Sequence, residues 1–212
     1  MYQPKNILST FIQLISSCNA MNNSKAWINV GYDLFAQEGY EGLQVERLAR
    51  ILNLNKSGFY HYFGKTTFYQ EHLMRHHHEM VDLLVQEIQS IDVFDPDYYY
   101  VLTKHSTCVM ATMQLLRNRH VPLFEQTYDE VNVKIDRATL PTWSTYVGAP
   151  DNPELAFRYL TMIRDLFYAR ISYERLNVNY LDTLFSDAKN FLEEVYPAEP
   201  SFSESHVALR QH

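Results

Sequence analysis

Between residues 27 and 63 the chain reads Trp27-Ile28-Asn29-Val30-Gly31-Tyr32-Asp33-Leu34-Phe35, then Glu38-Gly39-Tyr40, then Val45-Glu46-Arg47-Leu48-Ala49, and ends Leu54-Asn55-Lys56-Ser57-Gly58-Phe59-Tyr60-His61-Tyr62-Phe63. Apolar residues recur at helical spacing and the gaps are short. That pattern builds three small helices around one core. The last helix has two unlike sides. Leu54, Phe59, Tyr62 and Phe63 form the inward side. Asn55, Lys56, Ser57, Tyr60 and His61 form the outward side, and each can hydrogen-bond a phosphate or a base edge. A helix with that surface suits the major groove of double-stranded DNA.

The helix boundaries are punctuated in the text. Ser24 caps a first helix over 24–37 and Gly39 stops it. A second runs over 44–52, Asn53 makes the turn, and Asn55 caps the third. Gly64 breaks the chain, and Thr66 or Thr67 starts a long helix to about residue 90 with Tyr69, Leu73, Met80, Leu84 and Ile88 as its stripe. Asp95-Pro96 opens a helix to about 117, Asp95 capping and Pro96 in the first helical position. Pro122 opens another toward 138, with Pro141 and then residues 148–153 as loop. Two final helices cover 153–175 and 180–196.

The 212 residues hold one large or two small domains. With 16 Tyr, 12 Phe and only six Gly, and with few alternating stretches, the fold class is all-α. The expected division is an N-terminal extension over 1–23, a helix-turn-helix head over 24–68, a body for ligand binding and dimerisation over 69–196, and a disordered tail over 197–212. No apolar run approaches the roughly 20 residues that span a bilayer. The stretch from Phe11 to Ile15 is too short and polar for a secretory signal. Two cysteines, Cys18 and Cys108, suggest no disulfide scaffold, so a reducing cytoplasm is expected.

A net charge of −7 looks wrong for a nucleic-acid binder, but its distribution is uneven. Residues 1–70 carry six basic against four acidic side chains, or +2, which leaves −9 for the rest. A weakly basic head on an acidic body makes few phosphate contacts unless two heads act together.

Leu34-Phe35, Gly39-Tyr40, Leu48-Ala49 and Tyr60-His61-Tyr62-Phe63 fall in the order and at the gaps of one known pattern. In these residues the chain resembles the TetR family of bacterial transcriptional regulators. The resemblance covers about 40 residues and implies a DNA operator as partner, contacted by Gln44, Asn55, Lys56, Ser57, Tyr60, His61 and Lys65. Two departures stand out. Leu43-Gln44 replaces the family's frequent pair of threonines, and Ser57-Gly58 inverts its usual order. They motivate an alternative, a helical binding or dimerisation module with degenerate DNA contacts.

The last two helices are apolar on more than one side, so a second stripe needs a partner. The resemblance implies a homodimer through a four-helix interface, with Tyr159, Ile163, Leu166, Leu181, Leu184, Phe185 and Ala188 as its residues. It also implies a small-molecule effector pocket in the body, for which His105, Met113, Phe124, Tyr128, Trp143 and Phe167 are the expected lining. His72, His76, His77 and His78 with Glu79 and Asp82 invite a metal site, but one of His76 and His77 falls in the apolar stripe and no Cys-x-x-Cys pair supports it, so no metal and no cofactor are expected. Motifs for hydrolysis or phosphate binding are absent, and no enzyme is expected. The resulting reading is a cytoplasmic, ligand-responsive regulator, a repressor rather than an activator.

Overall fold

The structure, a computed structural model, describes the backbone of residues 7–195 and side chains from residue 23 onward. The expected tail from 197, the side chains of 1–22 and the Cys18 thiol lie outside the described residues. Nine helices and one short 3-10 turn make up the described fold, which has no strand, so the chain is all-α. They are α1 (Ile7–Glu38), the 3-10 turn Tyr40–Gly42, α2 (Val45–Leu52), α3 (Lys56–Phe63), α4 (Thr66–Ile88), α5 (Asp97–Lys104), α6 (Ser106–Arg117), α7 (Pro122–Tyr146), α8 (Pro153–Arg170) and α9 (Val178–Val195).

Most punctuation acts as its chemistry requires. Gly39 takes φ 74° and ends α1, and Asn53 takes φ 52° between α2 and α3. Both are left-handed positions, open to glycine and tolerated by asparagine. Asn152 caps α8 by accepting from the Leu155 N–H at 3.1 Å, ahead of Pro153 in the first turn.

Five boundaries differ from the sequence reading. Ser24 does not open the first helix, which continues back to Ile7. Pro96 itself, not Asp95, is the cap residue before α5, and the helix expected to reach 117 divides at His105. His105 leaves helical geometry (φ −94°, ψ 31°), and its Nε2 lies 2.8 Å from Glu87 Oε2 on α4. Pro141 does not end α7, which runs on to Tyr146. Proline frees the carbonyl four residues back, here on Arg137. Arg137 and Pro141 are both exposed, so water takes that carbonyl, while the buried Trp143 anchors the next turn by donating to Ala156 O at 3.0 Å. Finally, α8 stops at Arg170, and turns fill the gap to α9.

Two cores result. The head core is Trp27, Leu34, Val45, Leu48, Ala49, Phe59, Phe63 and Tyr69. The body core is larger and centres on the helices α4 to α9. Helix α1 feeds both, giving Trp27 and Leu34 to the head and Tyr32, Phe35 and Ala36 to the body. Gly39 makes a close junction between α1 and α6. A Cβ there would stand 2.8 Å from Gln114 Oε1 on α6, at a φ that already disfavours side chains.

Candidate nucleic-acid interface and body cavity

The geometry of α3 follows from its inner face. Phe59 is fully buried, edge-on to Trp27 at 5.4 Å and tilted against Phe63 and Tyr69 at 5.1 and 4.9 Å. Tyr69 enters from α4, and its hydroxyl donates to Trp27 O at 2.9 Å. It reaches that far only because residue 31 is glycine: a Cβ there would overlap the Tyr69 hydroxyl and lie 2.8 Å from its Cζ. Three helices are thus pinned by one ring. Asn55 caps α3, its Oδ1 accepting from the Ser57 N–H at 3.2 Å.

With the inner face fixed, Asn55, Lys56, Ser57, Tyr60 and His61 all stand exposed on the outer side of α3, and Tyr60 is half exposed. Gln44 is the exposed cap residue of α2, and Lys65 is exposed just before α4. The seven residues therefore lie on exposed parts of the head. Two of its cations are engaged at home. Lys56 Nζ lies 2.9 Å from Glu46, and Arg47 pairs with Glu38. The hydrogen bonds from Lys56 and Arg47 hold the two carboxyls below their ordinary range. Exposed pairs of this kind hold weakly, so a phosphate displaces them readily. Gly58 has no internal purpose in this packing, since a Cβ there would meet only Tyr62 Cε2, at 4.0 Å.

Residues 28–67 match the model of a family described as bacterial regulatory proteins, tetR family. Over these residues the chain is similar to the tetR family. No curated protein and no solved structure matches it. The matched residues are the head just described, and they support a DNA-binding transcriptional regulator. Among the described residues no helix is long and apolar enough to cross a membrane.

The body holds a small cavity of about 30 Å³. Tyr98, Asp136, Thr139, Arg164, Phe167 and Phe185 are among its walls. Of the lining expected from sequence, only Phe167 reaches it. Met113 and Trp143 are core, and Phe124 packs on Phe35 at 5.3 Å. His105 is committed to Glu87. Tyr128 lies buried farther along α7, with its hydroxyl unpartnered. The polar residues that do line the cavity are Asp136, Thr139 and Arg164. Residue type alone does not point to them, because acidic and hydroxylic residues on helices usually face water. Their signal was spacing, since Tyr128, Asn132, Asp136 and Thr139 fall on one helical face beside the apolar Val131 and Ile135.

The expected interface residues mostly face inward. Tyr159, Ile163, Leu181, Phe185 and Ala188 are buried within the single chain, and only Leu166 and Leu184 are half-buried. Phe185 stacks on Tyr99 at 5.6 Å and meets Phe94 edge-on at 5.2 Å, and Tyr159 donates to Ala188 O. Left exposed on the same two helices are Phe157, Met162, Phe191 and Val195. Both stripes are apolar in composition, so only packing tells the inner from the outer.

The histidine run also resolves. His77 is wholly buried, with Nδ1 2.8 Å from the Tyr32 hydroxyl and Nε2 3.4 Å from Thr112 Oγ1. His76 and His78 point to Glu79 and Glu130 at 3.4 and 3.3 Å. His72 lies on its own helix, 2.7 Å from Phe68 O. Among the described residues no cluster of three metal-binding side chains forms.

Proposed function

We propose that this chain is a dimeric, cytoplasmic repressor whose grip on an operator answers to a small molecule in the body. The observation that carries the reading is the outer face of α3, where five polar side chains stand exposed over a buried aromatic base. Two such helices across a two-fold axis would read a pseudo-palindrome with half-sites about one helical turn or more apart. The second reading, a binding module with lost DNA contacts, is favoured by the pairing of Lys56 and Arg47 with the head's own carboxylates.

Selection of bound fragments from genomic DNA separates the two. On the selected site, Lys56→Ala and Tyr60→Phe should each weaken binding about tenfold, and the lysine variant should lower the salt slope by about one. Gly58→Ala should stabilise the fold by up to about 1 kcal/mol, because the added Cβ has room. Any affinity that variant loses reports how closely the backbone approaches DNA. Unchanged binding in the lysine and tyrosine variants sinks the proposed face.

Dimerisation is supported by the outer stripe. Met162 and Leu166 on α8 and Leu184, Phe191 and Val195 on α9 are exposed or half-buried apolar residues, on two helices joined by the Tyr159–Ala188 hydrogen bond. Charge buried without a partner is costly. Met162→Glu with Phe191→Glu should therefore sediment as a folded monomer and lose most operator affinity. A folded variant that remains dimeric moves the interface elsewhere. Phe185→Glu would not serve, since it would unfold the body core.

Effector response is supported by the tight state of the cavity. At about 30 Å³ it holds roughly one water, far short of the several hundred needed for a drug-sized ligand. A ligand that enters must part α7, α8 and α9, and so binds an expanded body in preference to this one. That difference would reach the head through α1 and α4, which run from one core into the other.

A further inference from the structure

Among the described ion pairs of the head, only Lys56–Glu46 includes a residue expected to meet DNA. Glu46 lies in the first turn of α2, and Lys56 opens α3. Their side chains cross the gap between the two helices, with Lys56 Nζ 2.9 Å from Glu46 Oε1, yet they stay 53% and 68% exposed. The carboxylate is thus held beside the first residue of α3. In a helix-turn-helix that end of the second helix is the one that meets base edges. The hydrogen bond from Lys56 keeps the carboxyl below its ordinary range, so it is ionised at neutral pH.

An anion is out of place on such a surface unless it has a partner there. A phosphate that draws Lys56 away leaves the Glu46 carboxylate in the groove, where the other phosphates repel it and the loss of water is costly. It then needs a donor. Arg47, one residue on, is already paired with Glu38. The floor of the major groove offers two donors, the N4 amino group of cytosine and the N6 amino group of adenine. On adenine the N7 lone pair flanks the amino group and repels a carboxylate. On cytosine the flank is a C–H, which does not. A carboxylate therefore selects cytosine.

We propose that Glu46 reads a cytosine in the operator half-site, its carboxylate accepting from the N4 amino group once a phosphate has taken Lys56. The proposal rests on the regulator reading above and names one base of the site. It also gives the Lys56–Glu46 pair a purpose: the lysine keeps the carboxylate ionised and partnered until DNA supplies the donor.

The test is selection from a pool of random duplex DNA with the full chain and three variants. Glu46 is exposed, and Val45, Leu48 and Ala49 hold α2 in the head core, so its variants keep the fold. The wild type should enrich a site with cytosine fixed at one position of each half. Glu46→Ala should reduce the preference at that position about tenfold, and should bind unrelated sequences more tightly because a charge repelled by phosphate is gone. Glu46→Gln should move the preference toward adenine, whose N6 and N7 an amide engages together. Flattening in the alanine variant upholds the contact whichever base the glutamine variant then prefers. Lys56→Ala should weaken every site and keep the cytosine. If Glu46→Ala leaves every position as it was and only tightens binding, the carboxylate does no more than neutralise Lys56, and the proposal is overturned. If Lys56→Ala flattens the same position, the contact belongs to the lysine, which overturns it too. A wild-type chain that enriches no sequence defeats the regulator reading itself. One that enriches a site indifferent to Glu46 defeats the cytosine contact alone.

Discussion

Acidification below pH 6.5 should weaken the native state roughly tenfold in its folding equilibrium per pH unit through one side chain, His77. Burial, with the neighbouring His78 and His76 charges, pushes its pKa from the ordinary 6.5 down to about 3. Between those values the unfolded chain binds a proton that the native chain refuses. Stability from this residue is therefore complete above pH 6.5 and is lost steadily as pH falls toward about 3. The neutral ring is also what the packing uses, bonded to Tyr32 of α1 and within reach of Thr112 of α6. Equilibrium unfolding from pH 5 to 7 should show a one-proton slope in the wild type that His77→Asn lacks, and His77→Phe provides a second comparison. Equal slopes would mean that His77 is not buried neutral. The same result bears on switching. His77 stays neutral near pH 6–7 in the folded chain, so its protonation does not tune DNA affinity there.

Gly31→Ala should be the most damaging methyl group that can be added to the head. Its Cβ would occupy the place of the Tyr69 hydroxyl, so the ring must leave Trp27, Phe59 and Phe63 or α1 must shift. Overpacking costs about 1–3 kcal/mol, and the buried hydroxyl loses its bond to Trp27 O as well. DNA binding should fail along with the fold of the head, while the body retains its own core. Tyr69→Phe removes the nearest clashing atom. The double variant should therefore be more stable than the sum of the two single changes, measured as a double-mutant cycle. Additive losses would show that Gly31 and Tyr69 do not meet.

The head was legible in the sequence because its signals are local. Asn55 caps, Asn53 turns, Gly39 stops, and Phe59 and Phe63 alternate with polar neighbours at helical spacing; each needs only its near neighbours to be read. The body was legible in class and less so in detail. His105 interrupts a helix with no glycine or proline beside it, in company with a carboxylate 18 positions away. Pro141 carries a strong breaker signal that the solvent side of α7 neutralises. The polar residues of the cavity owe their burial to helices contributed from far along the chain. The outer stripe on α8 and α9 differs from the inner one only in what lies against it.

Helix α1 also bears on how this regulator can be taken apart. Its two faces belong to different cores, so a cut at 68/69, where the sequence suggests a join, would separate neither cleanly. A transplanted head would bring Tyr32, Phe35 and Ala36 with nothing to cover them, and the recipient body would lack the wall that Gly39 presses against Gln114. Chimaeras that borrow this head for a foreign body must therefore carry the α6 surface with it, or redesign the back of α1. The head and the body of this chain are inherited together.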